Sequence, residues 1–146
     1  MPETTIEAVD AEALVPTAVV QLYRSVGWSA YFDRPHVLTA ALRGSSRVVV
    51  ARIDGSLVGL ARVITDGASI CYLQDVLVHP EVQRSGLGRR LVHAALEPYA
   101  DVRQKVLLTD AEPGQRAFYE SLGYREARDW PDHGLRAFVR FDGVSQ

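Results

Sequence analysis

Apolar positions along the chain follow two periods, and the switches between them mark out the elements. TTIEAV opens as a short strand. LVPTAVVQLYRSV carries apolar residues at helical spacing and stops at Gly27. GWSAYFDRP reads as an aromatic loop, and PHVLTAALRGS predicts a second helix with Pro35 near its start and Gly44 at its end. The period then changes to β-branched runs. SRVVVARID and SLVGLARVITD meet at Asp54-Gly55, a hairpin signal, and Asp66-Gly67 turns the chain into ASICYLQDVLVHP, which ends at Pro80. These three runs predict an antiparallel meander. In GLGRRLVHAALEPY, Leu87, Leu91 and Ala95 recur every four residues with Leu96 beside them. Arg89, His93 and Glu97 take the other side, and Ser85 is placed to cap the helix. KVLLTD reads as a buried central strand, and EPGQRAFYESLG as a helix ending at Gly123. YREARDW and LRAFVRF read as a closing hairpin. The expected fold is α/β (α+β), a central mixed, mostly antiparallel sheet of six to seven strands flanked by about four helices.

The 146 residues suit one domain, expected to span 1–146, with a core that needs no staples. Sixteen Lys and Arg stand against eighteen Asp and Glu, for a net charge of −2. That balance argues against a general nucleic-acid binder. The lone Cys71 excludes an internal disulfide framework and fits a reducing, cytoplasmic setting. The first residues, MPETTIEAVD, are acidic with no apolar signal core, and no apolar run approaches the roughly 20 residues of a membrane helix. The expectation is a soluble intracellular protein with no membrane or nucleic-acid partner and no metal.

One stretch asks for a ligand. VQRSGLGRR, from Val82 to Arg90, is basic, contains no acid, and places Gly86 and Gly88 at the start of a helix. The first helical amides have no partner within the helix, glycine lets a ligand approach them, and the dipole there favours an anion. Arg84, Arg89 and Arg90 add charge. Three phosphate motifs compete. The P-loop fails because Gly88 is followed by Arg89-Arg90 rather than Lys and Ser or Thr. The dinucleotide fingerprint fails because Leu91 holds the third glycine's place. The acyl-CoA pattern Q/R-x-x-G-x-G/A is met in full by QRSGLG. YLQDVLVHPEVQRSGLGRRLVHAAL, followed by FYESLGY, resembles the acyl-CoA motif and the later FYxxxGF motif of the GNAT N-acetyltransferase superfamily, with Tyr124 in place of Phe. The likeness extends from about Ile6 to Phe141. YLQDVLVHP also resembles the matching strand of plant-type serotonin N-acetyltransferases.

The resemblance implies an enzyme: an acyl-CoA-dependent N-acetyltransferase with acetyl-CoA as co-substrate and direct attack by a primary amine in a ternary complex. It implies that the backbone of Gln83, Arg84, Ser85, Gly86, Leu87, Gly88 and Arg89 holds the pyrophosphate. It also implies that Leu77, Val78 and His79 pair with the pantetheine arm. Tyr119 matches the family tyrosine near the thioester sulfur, where a phenol stabilises or protonates the leaving thiolate. Many members carry Asn seven residues before that tyrosine; here the position is Glu112, and Gln115 is the candidate substitute. An alkyl ammonium of pKa about 10.4 must lose a proton before it attacks, and Asp75 in the long strand is the candidate base, the alternative being a carboxylate that fixes backbone. Tyr72 on the same strand can join a water chain. Tyr23, Trp28, Tyr31 and Phe32 are candidate walls of an acceptor pocket for an apolar or aromatic amine, the alternative being core packing. Asp33 can pair with a cationic substrate, and Trp130, Asp132 and His133 can form the opposite wall. The small-molecule amine is the preferred acceptor. A protein lysine or N-terminal acetyltransferase and a non-catalytic acyl-CoA-binding regulatory domain are the rivals. A homodimer is compatible with the family.

Overall fold

The computed structural model describes residues 2–132 and 134–143. These form two units, residues 1–108 and 109–146. The first holds β1 (Thr4–Val9), α1 (Pro16–Ser25), the single turn α2 (Ser29–Phe32), α3 (Pro35–Arg43), β2 (Arg47–Ile53), β3 (Ser56–Thr65), β4 (Ile70–Val78), α4 (Leu87–Leu96) and β5 (Gln104–Val106). The second holds α5 (Pro113–Ser121) and a 3₁₀ turn over Ala127–Asp129. Among the described residues no helix is long and apolar enough to cross a membrane.

The sheet runs β1-β2-β3-β4-β5, antiparallel except for the parallel β4–β5 pair. Asp54 (φ 48°) and Gly55 (φ 84°) both take the left-handed backbone of a two-residue hairpin, whose twist matches its strands. The Asp66 carboxylate accepts from the Ser69 hydroxyl and from the amides of Ala68, Ser69 and Ile70, which hold it well below the ordinary carboxylate range. One side of the sheet buries Val48, Val50, Leu60 and Leu77 against Val19, Leu22 and Tyr23 of α1 and Leu38 and Leu42 of α3. The other side receives α4 through Leu87, Leu91, Val92 and Ala95, as the four-residue recurrence predicts. Gly59 of β3 marks the closest approach: a Cβ there would lie 2.9 Å from Leu91 Cδ1 and 3.3 Å from the Leu77 carbonyl oxygen.

The β3–β4 ladder is interrupted where the site forms. Arg62 pairs with Asp75 but Val63 pairs with Leu73, so Gln74 is an extra residue, a β-bulge. A bulge re-aims side chains, and here the consecutive Gln74 and Asp75 both reach the hydroxyl of Tyr31. The parallel pairing of β5 ends at Tyr72–Val106, short of the bulge.

Four expectations are corrected. Five strands are described, not six or seven. KVLLTD supplies only the short β5, with Leu108 46% exposed, because its pairing stops beside the bulge rather than continuing through the apolar run. YREARDW folds as a 3₁₀ turn instead of a strand: Arg116 of α5 gathers Glu126 and Asp129, three apart, onto one guanidinium, and Arg125 covers the Trp130 ring. LRAFVRF then has no hairpin partner and forms no strand, leaving Phe138 91% exposed. The aromatic loop also contains one helical turn, α2.

Gly59→Val should destabilise the fold by about 1–3 kcal/mol, the usual cost of overpacking a filled core. Urea denaturation would read this as a lower midpoint with an unchanged slope. An unchanged midpoint would mean that α4 is not seated on β3 at Gly59.

Candidate active site

The chain leaves β4 at Val78 and turns through Pro80–Val82 before α4. Side chains hold that passage to its own backbone. His79 Nδ1 accepts from the Glu81 amide at 3.2 Å, Gln83 Nε2 donates to the Val78 carbonyl at 3.0 Å, and the Ser85 hydroxyl donates to the Val82 carbonyl. Ser85 is therefore not the helix cap. Gly86 is, in the left-handed region at φ 85°, with Arg84 also left-handed at φ 65°. Left-handed residues interspersed with ordinary ones turn successive amides toward one concave side, a geometry suited to anions. The first helical bond runs from the Arg90 amide to the Gly86 carbonyl, so the amides of the first turn have no acceptor within α4. Nothing lies within 4 Å of a Cβ built on Gly86. Gln83, Arg84, Ser85, Gly86 and Arg89 are exposed, whereas the Leu87 side chain is buried and offers only its backbone. The structure brings together the predicted loop as one exposed, basic helix start.

Beside it, β4 is covered on its β5 side only as far as Tyr72. The edge from Leu73 to Val78 has no strand partner there among the described residues, so it can accept an extended amide chain by main-chain pairing. Leu77 and Val78 lie on this edge, with the Leu77 side chain turned into the α1–α3 core.

Asp75 sits in a cluster that sequence reading did not foresee. Its Oδ2 accepts from Arg62 Nε at 2.6 Å and from the Tyr23 hydroxyl at 2.9 Å. Its Oδ1 accepts from the Tyr31 hydroxyl at 3.4 Å. Arg62 also donates through Nη2 to Tyr31 at 3.2 Å and through Nη1 to Ser45 at 3.3 Å. Asp75 is 3% exposed and Arg62 5%. Burial works to lower the Arg62 guanidinium, but the charge and hydrogen bond of Asp75, joined by Tyr23 and Tyr31, together outweigh this and its pKa rises. Burial first, and the Asp75 charge second, raise Tyr23 well above the ordinary phenol range. Tyr72, on the same strand, is raised by burial and then by Tyr31 and Asp75. The signal for Arg62 was the single charge inside the apolar run LVGLARVIT.

Tyr23 is fully buried and stacks edge-on with Trp28 and Tyr31, at centroid distances of 5.9 and 5.1 Å. It belongs to the core and cannot wall a pocket, which corrects that expectation. Trp28, Tyr31, Phe32 and Tyr72 are half-buried, Arg24 covers the Phe32 ring, and Asp33 is exposed. Two shallow grooves, of about 120 and 240 Å³, run beside α3 and contain none of these residues.

In the second unit, Tyr119 lies on α5 with its ring 4.9 Å from Phe118 and 6.0 Å from Tyr124. Burial, and then the Asp110 charge, push its phenol up to about 12. Gln115 is half-buried, one turn earlier on the same helix; Glu112 stands at the N-cap position with no side-chain bond to the helix, and Trp130 is half exposed. Asp132 is exposed, and His133 lies outside the described residues.

Comparison with known proteins adds a family. The family model described as an acetyltransferase (GNAT) domain matches residues 10–136. The uncharacterized N-acetyltransferase ycf52 of Pyropia yezoensis is 32% identical over 109 residues, which are 71% of this chain and 61% of that protein. The Porphyra purpurea protein of the same name is 33% identical over the same share. The chain thus spans about three fifths of the length of these curated relatives. Among solved structures, the GNAT-family acetyltransferase SP0256 of Streptococcus pneumoniae TIGR4 superposes with a TM-score of 0.77 at 28% identity, over 95% of this chain and 100% of its own. The aminoglycoside N-acetyltransferase AAC(6')-Iy in complex with CoA gives 0.72 at 14% identity, over 99% and 97%, a likeness of fold.

Arg62→Met should cost about 3–5 kcal/mol, because it strands a buried carboxylate. Replacing both partners, as Arg62→Met with Asp75→Leu, should recover most of that loss. Chemical denaturation of the single and double variants checks this. Equal losses in the two would mean that the ion pair is not what the site's packing rests on.

Proposed function

The chain belongs to the GNAT acetyltransferase family, and from that premise we propose that it transfers the acetyl group of acetyl-CoA to a primary amine of a small molecule by direct attack. The observation that carries this reading is the loop from Gln83 to Arg89. It has left-handed Arg84 and Gly86, first-turn amides with no acceptor inside α4, and no acid from Val82 to Arg90. That donor set fits a pyrophosphate in charge and in backbone geometry. The family match across residues 10–136 supports treating both units as one acyltransferase domain.

Acetyl-CoA supplies an activated carbonyl and a thiolate leaving group. The amides of Leu87, Gly88 and Arg89 hold its phosphates, and the open β4 edge through Leu77 and Val78 aligns the arm that carries the thioester. Backbone near Val76–Leu77 polarises the carbonyl, and fixing both reactants on one rigid sheet contributes much of the rate. Tyr119 hydrogen-bonds the departing sulfur. Its raised pKa keeps the phenol protonated, so that it can donate a hydrogen bond while being a reluctant proton donor. Burial raises a thiolate alongside a phenolate, so the difference between them governs the transfer. Half-buried Trp28, Tyr31 and Tyr72 offer aromatic surface for the acceptor, with Gln115 as the α5 contact to the pantetheine. The small-molecule acceptor is further supported by the fold shared with aminoglycoside acetyltransferases.

Acetyl-CoA at a hundredfold its dissociation constant should stabilise the protein by about 2.7 kcal/mol, a rise of several degrees in Tm. Gly86→Asp, which adds charge where phosphate belongs, should abolish the rise; an undiminished rise in that variant would sink the phosphate assignment. Tyr119→Phe should lower kcat with acetyl-CoA affinity retained. With its pKa raised to about 12, Tyr119 stays protonated through pH 10 and ionises only above it. The alkaline limb that it contributes to kcat should therefore lie above pH 10. A limb centred between pH 8 and 10 that disappears in Tyr119→Phe would show a phenol in a different environment.

A further inference from the structure

Asp75 is too deeply buried to meet an acceptor, but it is bonded to Tyr31, a residue that is only half-buried. Of the three side chains that donate to it, Arg62 and Tyr23 are buried and Tyr31 is half-buried. Tyr31 stands on α2 and reaches the bulge of β4 from the aromatic face. Its hydroxyl accepts from Arg62 at 3.2 Å and from Gln74 at 3.3 Å, and donates to Asp75 Oδ1 at 3.4 Å. The two carboxylate oxygens are thereby divided. Oδ2 is occupied by Arg62 and Tyr23, and among the described residues Oδ1 has the Tyr31 hydroxyl as its donor. A hydroxyl has two lone pairs and one proton, so a donor arriving from outside must displace one accepted bond. The Gln74 amide, long and uncharged, is the one that yields.

We propose that Tyr31 is a catalytic residue that touches the acceptor amine and relays its proton to Asp75. The inference rests on the amine-acceptor reading above. An ammonium N–H takes the place of Gln74 on the Tyr31 oxygen. As the N–H bond breaks, its proton forms a new O–H bond on Tyr31, and the original Tyr31 proton passes to Asp75 Oδ1. The amine is left neutral with its lone pair free, tyrosine is regenerated, and Asp75 becomes a short-lived carboxylic acid that still accepts from Arg62 and Tyr23, because the buried guanidinium is then without its counter-charge. The proton returns to water by the same path after turnover. Arg62, 3.2 Å from the Tyr31 oxygen, stabilises negative charge that develops there in transit. The groups facing Asp75 are Tyr23 from α1, Tyr31 from α2, Arg62 from β3, and Gln74 with Tyr72 from β4. At 3.4 Å the Tyr31–Asp75 bond is longer than a working hydrogen bond, and it shortens when the amine docks, as catalytic bonds do.

The test is Tyr31→Phe, assayed by thiol release from acetyl-CoA at pH 7 with two acceptors of similar shape, 2-phenylethylamine and phenylalanine amide. An alkyl ammonium of pKa about 10.4 is almost wholly protonated there, while about a tenth of an α-amino group of pKa about 8 is already neutral. The relay predicts a loss in kcat/KM of roughly 10²-fold or more for 2-phenylethylamine but no more than about tenfold for phenylalanine amide, with acetyl-CoA affinity unchanged. Equal losses would make Tyr31 an anchor of α2 and overturn the relay, as would no loss. Should the variant fail to fold, the unaltered protein gives a second reading. With 2-phenylethylamine, two protons moving together predict a bowed dependence of rate on deuterium fraction, and a linear or absent dependence overturns the proposal. If the unaltered protein turns over neither amine while acetyl-CoA still raises its Tm, the small-amine reading fails and the relay falls with it. Unequal turnover failures of the variant alone bear on the relay only.

Discussion

The buried ion pair between Arg62 and Asp75 is the constraint around which the first unit is arranged. Two charges withdrawn from water are tolerable only when each is well paired and its remaining donors and acceptors are filled. That demand recruits a residue from every neighbouring element: Tyr23 from α1, Tyr31 from α2, Ser45 after α3, and Gln74 from the same strand. The bulge makes this possible. Without the extra residue in β4, Gln74 and Asp75 would point to opposite faces, and the polar cluster could not close. One insertion in the ladder thus ties α1 and α2 to the sheet by directed bonds, beside the apolar contacts of the core.

The same irregularity bears on the neighbouring strand edge. Beyond Tyr72, β4 stops pairing with β5 and continues alone toward the glycine loop. The backbone left over is an extended row of donors and acceptors that runs into the amides at the start of α4. A polar cluster on the α1–α3 side, an open edge and an anion-ready helix start follow one another along a single strand and its exit. Two partners meeting there need only approach that strand from different directions.

Much of this was legible in the sequence because it is local. Asp54-Gly55 makes a hairpin through its own backbone preference, and Leu87, Leu91 and Ala95 select the buried side of α4 by spacing alone. QRSGLG declared its loop for the same reason. Arg62 was not legible as Asp75's partner, since their pairing depends on a register that shifts at the bulge and on phenols more than thirty residues away. Tyr23 looked like a pocket wall because an aromatic side chain reads the same whether its ring faces ligand or core. YREARDW misled because Arg116 of α5, eight residues before the segment begins at Tyr124, draws Glu126 and Asp129 together. KVLLTD misled because apolar composition marks burial without saying how long a neighbour will pair.

The order of the strands also sets an order of assembly. β2, β3 and β4 are consecutive, joined by tight turns, and their pairing closes only short loops. β5 must return across α4 to lie parallel to β4, which closes a much longer loop and costs more chain entropy before it is rewarded. The glycine loop lies inside that crossover. The meander with its buried ion pair can therefore form first, as the template on which the glycine loop is later folded into place.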